Sequence, residues 1–198
     1  MLPLLLLLCL VVTMPFSASP LLLATLLPNT LRSIQSCAAR IIANKLVAFP
    51  TETVYGLGAN ALDATAVEKI FQAKKRPATN PLIVHVLDAA DCASYVNHQS
   101  SLSLDIFTTL TSAFWPGPLT LILPASSLIP PQVTANGPNV ALRSPSNPIA
   151  RALLRSAALP IAAPSANLYG HVSPTTGGHV MVDMEGEDVA VIDAPEGE

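Results

Sequence analysis

Three consecutive cations, Lys74-Lys75-Arg76, followed by Pro77 and by Thr79 and Asn80, form a group suited to holding an anion. Cations in the last turn of a helix also favour its dipole, by about 0.3–1 kcal/mol. The dipole does not require three of them in a row, however, and successive residues point in different directions around a helix. A helix–strand junction carrying cations and neutral donors is a good place to bind phosphate.

A second set of polar residues follows short apolar runs. Thr51 and Thr53 come after Leu46–Phe49, Arg143 after Asn139–Leu142, and Ser165 and Asn167 after Leu159–Ala162. In an open α/β sheet, ligands collect beyond the carboxyl ends of the strands. These loops converge if the strands run parallel.

Other chemistries fit less well. Gly56-x-Gly58-x-x-Ala61 formally matches a dinucleotide-binding fingerprint, but the glycines should follow their strand directly and open a helix. Here six residues would separate Phe49 from that group, and the acid expected about 20 positions onward is replaced by Lys74–Asn80. No Walker A, HExxH or GxSxG pattern occurs. His85, His98, His171 and His179 lack metal-ligand spacing, and Cys9, Cys37 and Cys92 form no CxxC pair.

The elements that must position these residues read as alternating helices and short strands. Helices are expected over Leu31–Asn44, from Thr65 to Lys74 behind a Thr65-x-x-Glu68 capping box, around Ala89–Val96, over Leu102–Phe114, from Pro148 to Arg155 behind Asn147, and over Thr175–Met184. Strands are expected at Leu46–Phe49, Leu82–Val86, Leu119–Leu123, Asn139–Leu142, Leu159–Ala162 and Val189–Ile192. The stretch from Pro50 to Gly58 reads as a loop. The pattern defines an α/β domain.

Composition sets the bounds. The chain has 198 residues, 51% of them apolar and 12% charged, which suits one domain. Its net charge of −3 hides an asymmetry: residues 1–182 carry ten bases and six acids, and seven acids lie from Asp183 onward. The body is therefore mildly basic, as a binder of ATP or RNA would be. Residues 2–31 carry no charge. The apolar run at Leu4–Val12 is shorter than the roughly 20 residues a membrane span needs, and prolines flank it. Residues 1–28 are read as an apolar leader or a mispredicted start outside the fold, and residues 29–198 as the domain.

Five ordered segments together resemble one family. They are Ala48–Gly58, Lys74-Lys75-Arg76-Pro77, Asn80–Val86, Phe114–Thr120 and Pro164-Ser165-Ala166-Asn167. The chain resembles the YrdC-like family from about Ser33 to Asp193. The resemblance implies a twisted mixed sheet flanked by helices, with a concave basic cavity. It implies a nucleotidyltransferase, threonylcarbamoyl-AMP synthase, forming L-threonylcarbamoyladenylate and pyrophosphate from L-threonine, bicarbonate and ATP. A downstream threonylcarbamoyl transferase would then modify adenosine 37 of tRNA.

The residues carried over are Lys74, Arg76, Asn80, Ser165 and Asn167 for ATP. Thr51, Thr53, Tyr55, His85 and Arg143 are carried over for threonine and carbamate, Tyr55 as a wall and Arg143 as a carboxylate partner. Magnesium is expected to arrive with ATP. Some members bind double-stranded RNA, so an RNA- or tRNA-binding module without catalysis, or an inactive fragment, is the alternative. The expected compartment is the cytoplasm, or an organelle if the leader is a targeting segment. The family continues past the last strand with a Ser-Thr-Val segment lining the site. Because this sequence stops at Glu198, the C-terminal side of the domain is expected to be incomplete.

Overall fold

A computed structural model describes residues 24–97 and 104–194. The leader up to residue 23, the start of the helix expected from Leu102, His98, and the acidic end from residue 195 lie outside the described residues.

The strands are β1 (Thr25–Leu27), β2 (Leu46–Phe49), β3 (Gly56–Asn60), β4 (Ile83–His85), β5 (Leu121–Pro124), β6 (Asn139–Arg143), β7 (Ile161–Ala162) and β8 (Val189–Ile192). The helices are α1 (Leu31–Ile42), α2 (Ala64–Lys74), α3 (Leu104–Phe114), α4 (Pro131–Thr134), α5 (Pro148–Ala157) and α6 (Gly177–Asp183), with a 3₁₀ turn at Ala89–Ser94. One eight-stranded sheet runs in the order β1-β8-β2-β3-β7-β4-β6-β5. β1, β8 and β2 are mutually parallel, β3 and β7 pair antiparallel to their neighbours, β4 and β6 are parallel, and β5 closes the far edge antiparallel. The sheet is therefore mixed, and its strand-end loops do not all emerge at one side.

The two faces bury different helices. On one face Ile34, Cys37, Ala38 and Ile41 of α1 and Ile149, Leu153 and Leu154 of α5 pack against Val47, Phe49, Ile161 and Ile192. On the other, Val67 and Ile70 of α2, Val133 of α4 and Val180 of α6 cover Ala48, Leu57, Val84, Leu142 and Val191. Alternate residues along β2, β4, β6 and β8 thus serve opposite faces, as the strand period requires.

Local chemistry explains the ends. The Asn147 side chain accepts from Ile149 and Ala150 amides at 2.9 and 3.3 Å, with Pro148 at the first helical position, as expected from the sequence. The capping box at Thr65 and Glu68 is not used. Asp63 caps α2 instead, its carboxylate accepting the Ala66 amide at 2.8 Å. Three further differences concern strands and a helix. Gly56–Asn60, expected to be loop and helix lead-in, forms the central strand β3; α4 was not expected; and Thr25–Leu27, placed in the leader, pairs with Ala190–Ile192. The domain thus begins before residue 29. A chain starting at Asn29 is expected to lose on the order of 1 kcal/mol of stability with this edge ladder, read by chemical denaturation.

Gly58 shows why a strand so poor in β-branched residues is central. A Cβ there would lie 2.7 Å from Ile161 Cγ2 and 2.7 Å from Phe49 Cε1. The glycines of the apparent dinucleotide fingerprint serve close packing across the sheet. Gly58→Ala is expected to destabilise the fold by about 1–3 kcal/mol, the cost of overpacking a filled core. A shift of the denaturation midpoint with unchanged slope would show it.

Candidate functional site

Two polar groups meet at the start of β3. Leu57 donates its N–H to Pro164 O at 2.9 Å, Ala166 donates to Tyr55 O at 2.8 Å, and Gly56 bridges Ser165 antiparallel. This short ladder fastens the 50–55 loop to the 163–167 segment, so residues more than a hundred positions apart form one site.

The first group surrounds Arg143. Its Nη2 lies 2.9 Å from Glu52 Oε1 and donates to Thr53 Oγ1 at 3.2 Å. Thr51 folds the loop that presents them: its Oγ1 donates to Val54 O at 2.7 Å and accepts from the Thr53 and Val54 amides at 3.2 Å. Arg143 is buried and pairs in register with His85 on the neighbouring parallel strand. Burial pushes the His85 imidazole down to about 4, and the adjacent Arg143 cation pushes the same way, so the ring is neutral at pH 7. His85 also stacks edge-on to Phe49 at 5.9 Å. Burial would raise the Glu52 carboxyl, but the Arg143 guanidinium, together with the nearby backbone N–H groups of Glu52 and Ser146, outweighs it and holds the group below its ordinary 4.5.

The second group surrounds Lys74, at the end of α2. Lys74 is 1% exposed, and its ammonium donates to Ser165 O at 2.5 Å and to Asn167 O. An ammonium has three donors, so one remains for a ligand. Burial and Arg76 push Lys74 down to about 8, against the opposing pull of Asp183. Lys75 ends the helix in the left-handed conformation, φ 51°, and is exposed, while Arg76 is half-buried and donates to Pro81 O at 3.3 Å. The three adjacent cations therefore face three environments. Asn167 donates from Nδ2 to Leu168 O at 2.7 Å and His171 O at 2.9 Å.

Several of these side chains keep a buried polar atom without a hydrogen-bond partner in the protein: Arg76 Nε, His85 Nδ1, Arg143 Nε, Asn167 Oδ1 and both Glu52 carboxylate oxygens, of which Oε1 meets Arg143 as an ion pair only. A buried group left unsatisfied costs about 1–3 kcal/mol. Such atoms concentrated in two adjoining groups are what a polar, multiply charged ligand would satisfy.

Not every expected residue takes its expected place. Tyr55 is 2% exposed, and its hydroxyl accepts the Ala194 amide at 3.0 Å. It anchors the loop to the end of β8 instead of presenting a ring to a pocket. Asn80 is half-buried in a turn closed by its own N–H to Pro77 O at 3.2 Å. Two participants were not assigned from sequence. Glu52 lies inside the Ala48–Gly58 segment but is not among the residues carried over. Asp183, counted with the acidic end, reaches the Lys74 group from α6. Its 16-residue separation from Asn167 carries no sequence signal. A cavity of about 610 Å³ lies elsewhere, between the 3₁₀ turn and α3, with walls that include Cys92, Val96, Phe107 and Leu123.

The sheet order and the position of this site define a YrdC-like α/β domain. The Sua5_yciO_yrdC family model, described as "Telomere recombination", matches residues 39–198. The chain belongs to that family. It is 49% identical over 161 residues to the threonylcarbamoyl-AMP synthase of Bacillus subtilis, covering 81% of this chain and 45% of that protein. It is 44% identical over 180 residues to the Pyrococcus abyssi threonylcarbamoyl-AMP synthase, covering 87% and 51% respectively. The structure of P. abyssi Sua5 complexed with L-threonine superposes with a TM-score of 0.81 at 43% identity, over 88% of this chain and 51% of that one. E. coli YciO shares the fold, with a TM-score of 0.69 at 23% identity over 86% of this chain and 81% of that one. The curated relatives named here are enzymes, and this chain spans about half the length of each.

Proposed function

We propose that this chain forms L-threonylcarbamoyl-AMP, pyrophosphate and water from L-threonine, bicarbonate and ATP, as a nucleotidyltransferase acting in tRNA modification. The observation that carries this reading is the pair of adjoining polar groups with different chemistry. One is a buried guanidinium suited to a carboxylate. The other is a cluster of cations and amide groups suited to phosphates. The likeness to a Sua5 protein complexed with L-threonine supports the first assignment.

In this reading Arg143 and Thr53 hold the threonine carboxylate and the carbamate, Thr51 shapes the loop that presents Thr53, and neutral His85 offers its free Nδ1 beside them. A guanidinium matches a carboxylate in planar geometry and stays charged when buried. Arg76 and the remaining Lys74 donor hold the phosphates of ATP, with Ser165, Asn167 and Asn80 as neutral partners. The carbamate oxygen attacks the α-phosphorus, a new P–O bond forms, and the bond to pyrophosphate breaks. Charge accumulates on the leaving group, so positioning and electrostatic stabilisation supply most of the acceleration.

Magnesium is proposed to come on the ATP phosphates. Among the described residues no three His, Cys, Asp or Glu side chains gather as a metal cage, and Glu52 is engaged by Arg143. The protein's own groups therefore act on the nucleotide and the amino acid. The product is a mixed anhydride, so an enzyme that transfers an activated acyl group to a tRNA nucleoside must consume it. No helix among the described residues is long and apolar enough to cross a membrane.

Separate calorimetric titrations test the two halves. Threonine binding is expected to disappear in Thr53→Val with ATP binding retained. Arg76→Ala is expected to do the reverse. If both substitutions weaken both ligands equally, the division of the site into two subsites is wrong.

A further inference from the structure

Arg143 and Glu52 form an ion pair in a shielded place. Arg143 Nη2 lies 2.9 Å from Glu52 Oε1, and the two side chains are 10% and 17% exposed. The same nitrogen donates to Thr53 Oγ1 at 3.2 Å. Among the described residues the guanidinium is engaged through Nη2 alone, and its buried Nε has no hydrogen-bond partner. A guanidinium carries five donors, so donors remain for an incoming carboxylate while Glu52 stays in place. Glu52 is the other half of the arrangement. Its Oε2 is buried and has no hydrogen-bond partner either. The backbone that presents it is fixed by Thr51, through Val54 O and the Thr53 and Val54 amides.

Charge decides what such a pair can take. Arg143 and Glu52 sum to zero, and His85, in register with Arg143, is neutral at pH 7 and adds nothing. A ligand carrying only a carboxylate brings a second anion beside Glu52 and leaves the shielded site with a net negative charge, which is unfavourable away from water. A ligand carrying a carboxylate and an ammonium on neighbouring carbons leaves the site neutral. It also gives Glu52 Oε2 a charged donor.

We propose that Glu52 is a specificity-determining residue of the amino-acid subsite: beside Arg143, its carboxylate takes the α-ammonium of the free amino acid, so that the pair selects an α-amino acid over a plain hydroxy acid. The proposal rests on the reading of Arg143 as the threonine carboxylate site, and it concerns the amino acid before bicarbonate is joined to its nitrogen. A purely structural Glu52, there only to steady Arg143, would affect every carboxylate ligand alike. An ammonium contact affects only the ligands that carry an ammonium.

The probes are L-threonine and (R)-3-hydroxybutyrate, which is threonine without its amino group. Both would be titrated calorimetrically at pH 7, in bicarbonate-free buffer, into the wild type, Glu52→Gln and Arg143→Met. The wild type is expected to bind threonine about 10–100-fold more tightly than 3-hydroxybutyrate, the factor that one charge-assisted hydrogen bond supplies. In Glu52→Gln, threonine should weaken by about that factor, while 3-hydroxybutyrate should bind no less tightly than before. The wild-type comparison needs no variant, so it stands even if a substitution disturbs the fold, and equal affinities there overturn the proposal. A preference that survives in Glu52→Gln, with both ligands weakened alike, also overturns it and leaves Glu52 as a support for Arg143. Threonine affinity unmoved in Arg143→Met overturns the subsite reading itself, and the proposal with it.

Discussion

Replacing Arg143 with methionine should abolish threonine binding and cost the folded state about 3 kcal/mol, the scale of removing one partner from a buried ion pair. The pair is well shielded, with side-chain exposures of 10% for Arg143 and 17% for Glu52. Without the guanidinium, Glu52 is left as an uncompensated carboxylate in a largely dry place. The companion substitution separates the two effects. Adding Glu52→Gln to Arg143→Met removes the stranded charge and should recover most of the stability. It should not recover threonine binding, which needs the cation itself.

The pH dependence carries the same signature with a definite sign. In the wild type the Glu52 carboxyl is held below its ordinary 4.5. Its contribution is therefore fully present above the unfolded value and lost as pH falls through the folded one. In Arg143→Met the guanidinium's pull is lost while that of the backbone N–H groups of Glu52 and Ser146 remains, so the group moves up from its wild-type position. That variant should therefore lose less stability than the wild type on acidification toward pH 4. Denaturant midpoints measured between pH 3.5 and 7 would distinguish the two curves. Parallel curves would show that Glu52 and Arg143 are not energetically coupled.

Lys74 and Arg76 should differ sharply, although they are two residues apart. Arg76 is half-buried and makes one long hydrogen bond, so Arg76→Ala should leave the fold intact. Its effect should fall on ATP affinity, by about 1.5–3 kcal/mol, as for a charge-assisted hydrogen bond. Lys74→Met should do more. It strips two backbone carbonyls, Ser165 O and Asn167 O, of their donor in a buried setting and frees the loop that carries Asn167. A stability loss of about 2–4 kcal/mol is expected for two unsatisfied buried acceptors, together with loss of ATP binding. Thermal denaturation and calorimetry on the same samples measure both. Equal behaviour of the two variants would mean that Lys74 is a simple phosphate ligand, not the pin of the loop.

Much of this arrangement was legible in the residues. Asn147-Pro148 announces the start of α5 because an amide side chain and a fixed φ satisfy the first turn whatever packs later. The cationic junction after α2 is visible because nothing about a helix end demands three cations. Assigning their separate roles is another matter. Lys74 turns inward because α2 ends against the 165–167 segment, a contact across 91 residues or more. β3 escaped notice because its Gly-Leu-Gly-Ala-Asn sequence has no β-branched residue, and its place is set by the close approach of Phe49 and Ile161. The sheet's mixed direction was equally hidden. Parallel strands would have gathered all the polar strand ends at one side. Instead the 50–55 loop carries Glu52 and Thr53 to Arg143, and the ladder between Tyr55–Leu57 and Pro164–Ala166 brings the two groups together. Tyr55 was misread for a related reason. An aromatic beside a polar loop suggests a wall, but its partner, the Ala194 amide, lies 139 positions away.

The central claim is that threonine, bicarbonate and ATP react at this one site. Pyrophosphate release by the purified chain, measured with each substrate omitted in turn, tests it most directly. The account predicts release from ATP only when threonine and bicarbonate are both present, lost in Arg143→Met and in Arg76→Ala. Pyrophosphate release that is indifferent to threonine, or that persists unchanged in Arg143→Met, would contradict it.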